Sequence, residues 1–481
     1  MPIVGAFMVP HPPIMLPEVG RGEEKQIEAT TRAYRQVADE IAALKPETII
    51  ISSPHSIMYA DYFHISPGKF AHGDMGRFRA PQVRFDVEYD TDLVEEICAI
   101  SDSYGQENDD IKSMEIQGFP AGTMGERDPE LDHGTLIPLY YIKEKYDNFK
   151  IVRIGISGLS LPMHYEMGQI IQQAVEKTGI RAVYVASGDL SHKMKEDGPY
   201  GFAKEGPEYD KRIMQVCGSG EFDRLLDFDE VFCEKAAECG HRSFVMMAGA
   251  LDGIAVSAKE LSHEATFGVG YGICTFEVKG EDETRHFLEK WREDKKKALD
   301  ERRKDEDLYV RLARYSLESY ITLGKRIGRK DIQTEEWKDL DPEMYERRAG
   351  TFVSIHKDGA LRGCIGTILP TCSCIADEIM QNAISAGTND PRFPMIKEDE
   401  LPYLEMSVDV LDEPEPIDGP DQLDVKRYGV IVTHGRKRGL LLPNLDGVDS
   451  IKQQIDIARQ KAGISEDEEY SLERFEVIRH I

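Results

Sequence analysis

Four histidines stand where an apolar run ends and the chain turns. His11 follows IVGAFMV inside the tetrapeptide PHPP, and His55 closes TIIISSPHS, again directly after a proline. His192 ends VYVASGDLSH beside Asp189 and Ser191, and His133 lies in LDHGTLIPLYYI, where Asp132-His133-Gly134 lead into an apolar stretch. Prolines fix their own φ and push the preceding residue towards extended backbone, so PHPP reads as a rigid turn holding an imidazole at a strand's end. A lone loop histidine is ordinarily structural or exposed; four at equivalent edges point to a shared site. Two neutral imidazoles and one carboxylate make the facial triad that leaves positions open on Fe(II) for substrate and O₂. The remaining histidines are then free to move protons or hold a substrate oxygen. The carboxylate candidate is Glu238 in CEKAAECGHRSFVMMAGALDG, at the entrance to an apolar helix.

Such residues need strands to present them. Residues 1 to about 277 alternate β-rich runs (PIVGAFMV, ETIIISS, YFHIS, KIVRIGIS, AVYVAS, GVGYGICTFE) with helical stretches, among them GEEKQIEATTRAYRQVADEIAALK, which carries Ile27, Thr31, Tyr34, Val37, Ala38 and Ile41 at helical spacing. Strands separated by helices predict an α/β domain with a central, mostly parallel sheet flanked by helices. In such sheets ligands bind outside the carboxyl ends of the strands, where these histidines fall. Residues 278–305 are charge-dense with little apolar content and read as a solvated helical linker. A smaller α+β unit is expected over 306–481, with strands near AGTFVSIHK, LEMSVDVL and YGVIVTHG and helices near CSCIADEIMQNAISAG and SIKQQIDIARQKAG.

Taken in order, HPPIML, SPHS, DHGTLIPL and SGDLSH resemble segments of the LigB-type class III extradiol ring-cleaving dioxygenase family, which includes the Memo-like proteins. The resemblance covers residues 1 to about 277. It implies that His11 and His55 are iron ligands, that His192 is the acid/base histidine, and that His133 stands near substrate and oxygen. Dioxygenases of the family use a glutamate as third ligand, whereas Memo-like proteins have a cysteine followed by glycine. The tripeptide ECG offers both: Glu238 is preferred, with Cys239 the alternative and His241 a weaker substitute that otherwise reads as an exposed helix-start residue. Glutamate favours Fe(II); a thiolate favours softer metals such as copper(I) or zinc. The expected substrate is a small aromatic, catecholic molecule cleaved with O₂. His64 and His72, in FHISPGKFAHGD, are expected to be exposed loop residues.

In the second unit LRGCIGT (361–367), QNAISAGTNDPRFP (381–394) and GLLLPN (439–444) resemble the AMMECR domain family over most of 306–481. An arginine beside a thiol favours the thiolate, so Arg362 and Cys364, with Arg392, are candidates for binding a substrate or a partner. Close backbone approach by the glycines and a small buried Cys364 is the plainer reading. A Memo/LigB-like module joined to an AMMECR module resembles the AmmeMemoRadiSam system, which implies a radical SAM protein as partner. No CxxxCxxC motif occurs in this chain to do that chemistry itself.

Composition sets the outer limits. A chain of 481 residues exceeds what one core usually supports. Net charge is −29, from 88 acidic and 59 basic residues, which disfavours nonspecific binding to nucleic acid or an anionic membrane. No run approaches a bilayer span, and no basic n-region precedes an apolar h-region at the start. Eight cysteines without paired CxxC motifs suggest reduced thiols in a cytoplasmic protein. Homodimers are frequent among such α/β enzymes, and a homodimer is the expectation for this chain.

Overall fold

Ile49, Ile50 and Ile51 are consecutive and all wholly buried, which a strand achieves only when both faces of its sheet are covered. Successive side chains alternate between faces: Ile50 joins one core with Ala6, Met8, Tyr184 and Ala186, while Ile49 and Ile51 join another with Phe7, Val9, Val183 and Val185. In the computed structural model the described residues are 3–104, 118–445, 447–465 and 468–481. They form two compact units, Met1–Arg292 and Glu293–Ile481.

The first unit holds strands β1 (Ile3–Val9), β2 (Thr48–Ser53), β3 (Lys150–Gly155), β4 (Ala182–Ser187), β5 (Ile254–Glu264) and β6 (Tyr271–Glu281). They run in the order β3-β2-β4-β1-β6-β5. The first four are mutually parallel and the last two antiparallel, giving the mixed, mostly parallel sheet expected of this α/β domain. Helices α1 (Glu28–Leu44) and α2 (His133–Lys143) cover one face; α3 (Leu161–Thr178), α4 (Glu205–Ser219) and α5 (His241–Ala250) cover the other. Because β2, β4 and β1 are neighbours and parallel, their carboxyl ends open on one rim. YFHIS is not one of its strands: Phe63–His64 pairs with Ala121–Gly122, and the segment touches β3 only through an isolated bridge from Ile65 to Ile154. His64 is buried rather than exposed, with both ring nitrogens unpaired among the described residues.

The charge-dense stretch behaves differently at its start. β6 runs on to Glu281, beyond the expected boundary at 277, before the helix α6 (Phe287–Lys304) begins.

The second unit is α+β. Its strands are β7 (Thr351–Lys357), β8 (Ala360–Gly366), β9 (Leu404–Leu411), β10 (Glu415–Ile417), β11 (Tyr428–His434), β12 (Lys437–Leu441) and β13 (Ser471–His480). They form a curled antiparallel sheet in the order β8-β7-β9-β13-β11-β12, with β10 pairing β13. Helices α7 (Leu308–Leu323) and α8 (Ile375–Thr388) bury Val353, Ile355, Met406 and Val408, while α9 (Ile451–Ala462) packs on Val430, Val432 and Leu441. Among the described residues no helix is long and apolar enough to cross a membrane.

Candidate metal centre

The turn after β1 is fixed from both sides. The backbone N–H of His11 donates to Asp189 Oδ1 at 2.8 Å, tying the end of β1 to the end of β4. His11 Nδ1 lies 2.9 Å from Ser187 Oγ, and that hydroxyl donates its hydrogen to the Gly134 carbonyl at 2.6 Å. With its hydrogen committed, Ser187 accepts from Nδ1–H, which leaves the free pair of His11 on Nε2. His55 presents its own Nε2 to that atom at 3.0 Å. The turn bearing His55 is held by its N–H donating to Ser53 Oγ, which in turn donates to Asp132 Oδ1 at 2.6 Å.

The third donor is a thiol. Cys239 Sγ lies 3.6 Å from His11 Nε2, and the ligand atoms of His11, His55 and Cys239 all lie within 4.8 Å of one another. Its turn is locked to the end of β4: Cys239 and Gly240 donate backbone N–H groups to the Asp189 carbonyl, and the Asp189 N–H donates back to Sγ. A Cβ on Gly188 would come within 2.1 Å of Gly240 Cα, so this approach requires glycine at both positions. Glu238, the preferred ligand of the sequence reading, takes no part in this group. Its Oε2 accepts from the His241 N–H at 2.6 Å and so satisfies an orphan donor at the start of α5. Ala237, with φ 53°, turns the chain just before it. Desolvation pushes the Glu238 carboxyl up to about 7, against the donors around it. His241 is buried rather than exposed, bonded to Tyr209 and to the Leu225 carbonyl, away from the cluster.

Two more imidazoles surround the group. His133 stacks on His55 with ring centroids 4.1 Å apart and stands edge-on to His11 at 5.3 Å. It occupies the first position of α2, whose cap is Asp132, accepting from the Thr135 N–H. His192 stacks on the exposed Tyr200 at 5.0 Å. Burial and then neighbouring imidazoles hold His11 well below 6.5 and push His133 and His192 down to about 4. The rings are therefore neutral near pH 7 and able to donate electron pairs. Burial also raises the Cys239 thiol well above its usual range and the Asp189 carboxyl to about 7.

Arg153 had no role in the sequence reading, yet it underlies two of these loops. Fully buried, it donates to Ser66 Oγ and to the carbonyls of Glu130 and Asp128, and stands 3.6 Å from Asp132 Oδ2. The available signal was a lone arginine inside the otherwise apolar run IVRIG that follows Lys150.

In the second unit Arg362 does not serve Cys364. It binds both carboxylate oxygens of Glu400 at 2.9 Å and the Pro394 carbonyl. Cys364 instead receives the Ser354 hydroxyl at 3.3 Å and gives its N–H to Asp390 Oδ2, to which Arg392 is also bound.

Residues 5–274 match the family model described as the catalytic LigB subunit of aromatic ring-opening dioxygenase, and residues 310–480 match the AMMECR1 model. A Clostridium acetobutylicum protein is 42% identical over 489 residues, covering 100% of this chain and 99% of its own length. A Thermotoga maritima protein is 48% identical over 174 residues, covering 36% of this chain and 96% of its own length. Among solved structures, an uncharacterized Pyrococcus horikoshii protein is 32% identical over 36% of this chain and 88% of its own, with a TM-score of 0.32. An uncharacterized Escherichia coli protein is 13% identical over 56% of this chain and 99% of its own, with a TM-score of 0.37.

Proposed function

The chain belongs to the family of the catalytic LigB subunit of aromatic ring-opening dioxygenases, joined here to an AMMECR1 domain, and from that premise we propose that its first unit is a ferrous oxygenase acting on a small hydroxylated aromatic molecule. The observation that carries this reading is the convergence of His11 Nε2, His55 Nε2 and Cys239 Sγ from three separate chain turns. Those donors fit one transition-metal ion: the His11 tautomer leaves Nε2 free, and a thiol completes the set. When bound, Fe(II) would supply electrons to O₂ and acidity to a substrate hydroxyl. The protein's own share is geometry and proton handling. His192, neutral and backed by Tyr200, takes a hydroxyl proton and later returns it; His133, stacked on His55, holds a substrate oxygen. The second unit binds a ligand or partner.

Cys239 in place of a carboxylate favours a second reading, a Memo-like metal-holding protein that works beside a radical SAM partner without opening rings. Thiolate donors also suit copper(I) and zinc. Protein purified without oxygen, analysed for bound metal and screened for O₂ uptake with catechols, separates the two. Stoichiometric iron with catechol-dependent O₂ uptake is expected. Retained metal with no uptake for any catechol supports the second reading, and absence of any bound metal overturns both.

A further inference from the structure

The sheet of the second unit has a face that α7 and α8 do not cover. Val353, Ile355, Met406 and Val408 point into the core, so their alternating neighbours point away from it. Register places Cys364 opposite Ser354 and Ser354 opposite Ser407, one row across β8, β7 and β9. The next row runs Gly366, Phe352, Asp409, Arg479. Gly363 confirms the sidedness, since a Cβ there would strike the Ala386 carbonyl of α8 at 2.2 Å.

Two arginines flank this face, and both are fixed in the same way. Arg479 grips Asp409 through Nε and one terminal nitrogen at 2.8 and 2.9 Å, and Arg392 grips Asp390 likewise at 2.9 and 2.7 Å. The aspartate side chains are 1% and 2% exposed, whereas the arginines are 44% and 55% exposed. Buried carboxylates thus hold two half-exposed guanidiniums in fixed poses, each with an Nη1 that makes no hydrogen bond among the described residues. Arg392 also reaches the Cys364 carbonyl at 3.3 Å, and the register sets Arg479 on the row next to the one that carries Cys364. Each Arg–Asp pair is neutral overall, so recognition here rests on directed short-range donors rather than long-range attraction. This matters in a chain of net charge −29, which repels anions at a distance.

We propose that this face is a binding site for a small oxyanion, a carboxylate- or phosphate-bearing molecule, held by Arg392 and Arg479 against the thiol of Cys364. It is independent of the metal centre and deepens the ligand-binding role of the second unit.

The test compares alkylation of the full chain by anionic iodoacetate and neutral iodoacetamide, with Cys364 followed by peptide mass spectrometry. In both reactions the sulfur forms a bond to carbon, iodide leaves and the thiol proton passes to buffer. Only iodoacetate carries the group the arginines would bind. At Cys364 the iodoacetate-to-iodoacetamide rate ratio should exceed that of free glutathione at least about tenfold, and R392Q and R479Q should return it to within about twofold of glutathione. In the unaltered chain, inorganic phosphate or malonate at 10 mM (about the scale of a weak small-anion site) should slow iodoacetate at Cys364 but not at the half-exposed Cys98. Phosphate acting alone assigns a phosphate ligand, and malonate acting alone a carboxylate. A glutathione-like ratio in the unaltered chain, a ratio that survives both substitutions, or no slowing by either anion overturns the proposal. The competition arm needs no variant, so a substitution that disturbs folding leaves the result decided.

Discussion

His11 and His55 point their Nε2 atoms at one another across 3.0 Å. Two lone pairs at that separation repel unless a proton or a cation lies between them. Burial keeps both rings neutral near pH 7, so either the Nε2–H tautomer of His55 donates to His11 Nε2 or a cation takes the place of that proton between them. Ser187 keeps the arrangement from relaxing, because it accepts from Nδ1–H and blocks the other tautomer. Ser187→Ala should therefore lower metal affinity by about 10- to 100-fold, the range typical of a lost partner behind a metal-binding histidine. Competition with a chelator of known affinity measures it; unchanged affinity would show that the hydroxyl does not set the tautomer.

Cys239 and Glu238 are adjacent in the chain but serve different purposes. Cys239→Ser should weaken metal binding by at least about 100-fold, because a hydroxyl is a poor replacement for a thiolate donor. Glu238→Gln should leave metal affinity within about threefold and cost about 1 kcal/mol of stability, the usual scale for a weakened helix-start bond. Metal titration and thermal unfolding of both variants give the answer. The reverse pattern would return the carboxylate to the metal.

Arg153 links the loops behind His55 and His133. Arg153→Met removes the donors to two carbonyls and to Ser66 and leaves the Asp132 carboxylate without its cation. Breaking a buried pair from one side costs about 3–5 kcal/mol. Thermal unfolding should show that loss, and chelator competition should show weaker metal binding. Arg153→Lys should recover only part of either, since one ammonium cannot match the planar fork that reaches Ser66, Asp128 and Glu130.

The histidines could be read singly, whereas the third donor could be read only as one of two adjacent residues, Glu238 or Cys239, and the difference is a matter of period. β1, β2 and β4 are apolar on both faces, so their ends are marked by the first polar residues and prolines; that placed His11, His55 and His192 on one rim. Glu238 and Cys239 lie in a turn between Ala237 at positive φ and the start of α5, where one residue's rotation decides which side chain faces the rim. No periodicity governs such a turn. The useful clue was Gly240, whose partner in close packing, Gly188, follows the end of β4. Likewise Arg362 and Cys364 are two residues apart and look paired in sequence, but an irregularity in the pairing of β8, between His356–Leu361 and Ile355–Gly363, precedes Cys364. Arg362 binds Glu400, a residue 38 positions away.

His192 is neutral, partly exposed and stacked on Tyr200, but lies outside the His11–His55–Cys239 group. His192→Gln should therefore leave metal content unchanged while lowering catechol-dependent O₂ uptake by about 10²- to 10⁴-fold, the range for loss of a general acid–base. Metal analysis and oxygen-electrode rates on the same preparation make the comparison. Parallel loss of metal and rate would make His192 a ligand instead.

Glu400 supplies a pH dependence in the second unit. Burial opposes ionisation of its carboxyl, but the Arg362 fork, Lys357 and the Lys397 N–H outweigh burial and hold it down at about 2. An unfolded glutamate titrates near 4.5. A carboxyl with a depressed folded value contributes stability that is fully present above the unfolded value and disappears as pH falls towards the folded one. The window is therefore about pH 5 down to about pH 2, and a separation of this size corresponds to on the order of 3 kcal/mol. The side chains of Glu400 and Arg362 are 12% and 14% exposed, so solvent screening removes little of that. Other carboxylates titrate over the same range, so the informative quantity is the difference between the parent chain and Glu400→Gln. Denaturant unfolding at pH 7 should find the variant less stable by about 3 kcal/mol, less whatever bonds glutamine retains to Arg362. Towards pH 2 the two curves should converge, since protonated glutamate and glutamine then present similar groups to the arginine. A stability difference that stays constant from pH 7 to pH 2 would mean that the pair acts through packing and not through charge.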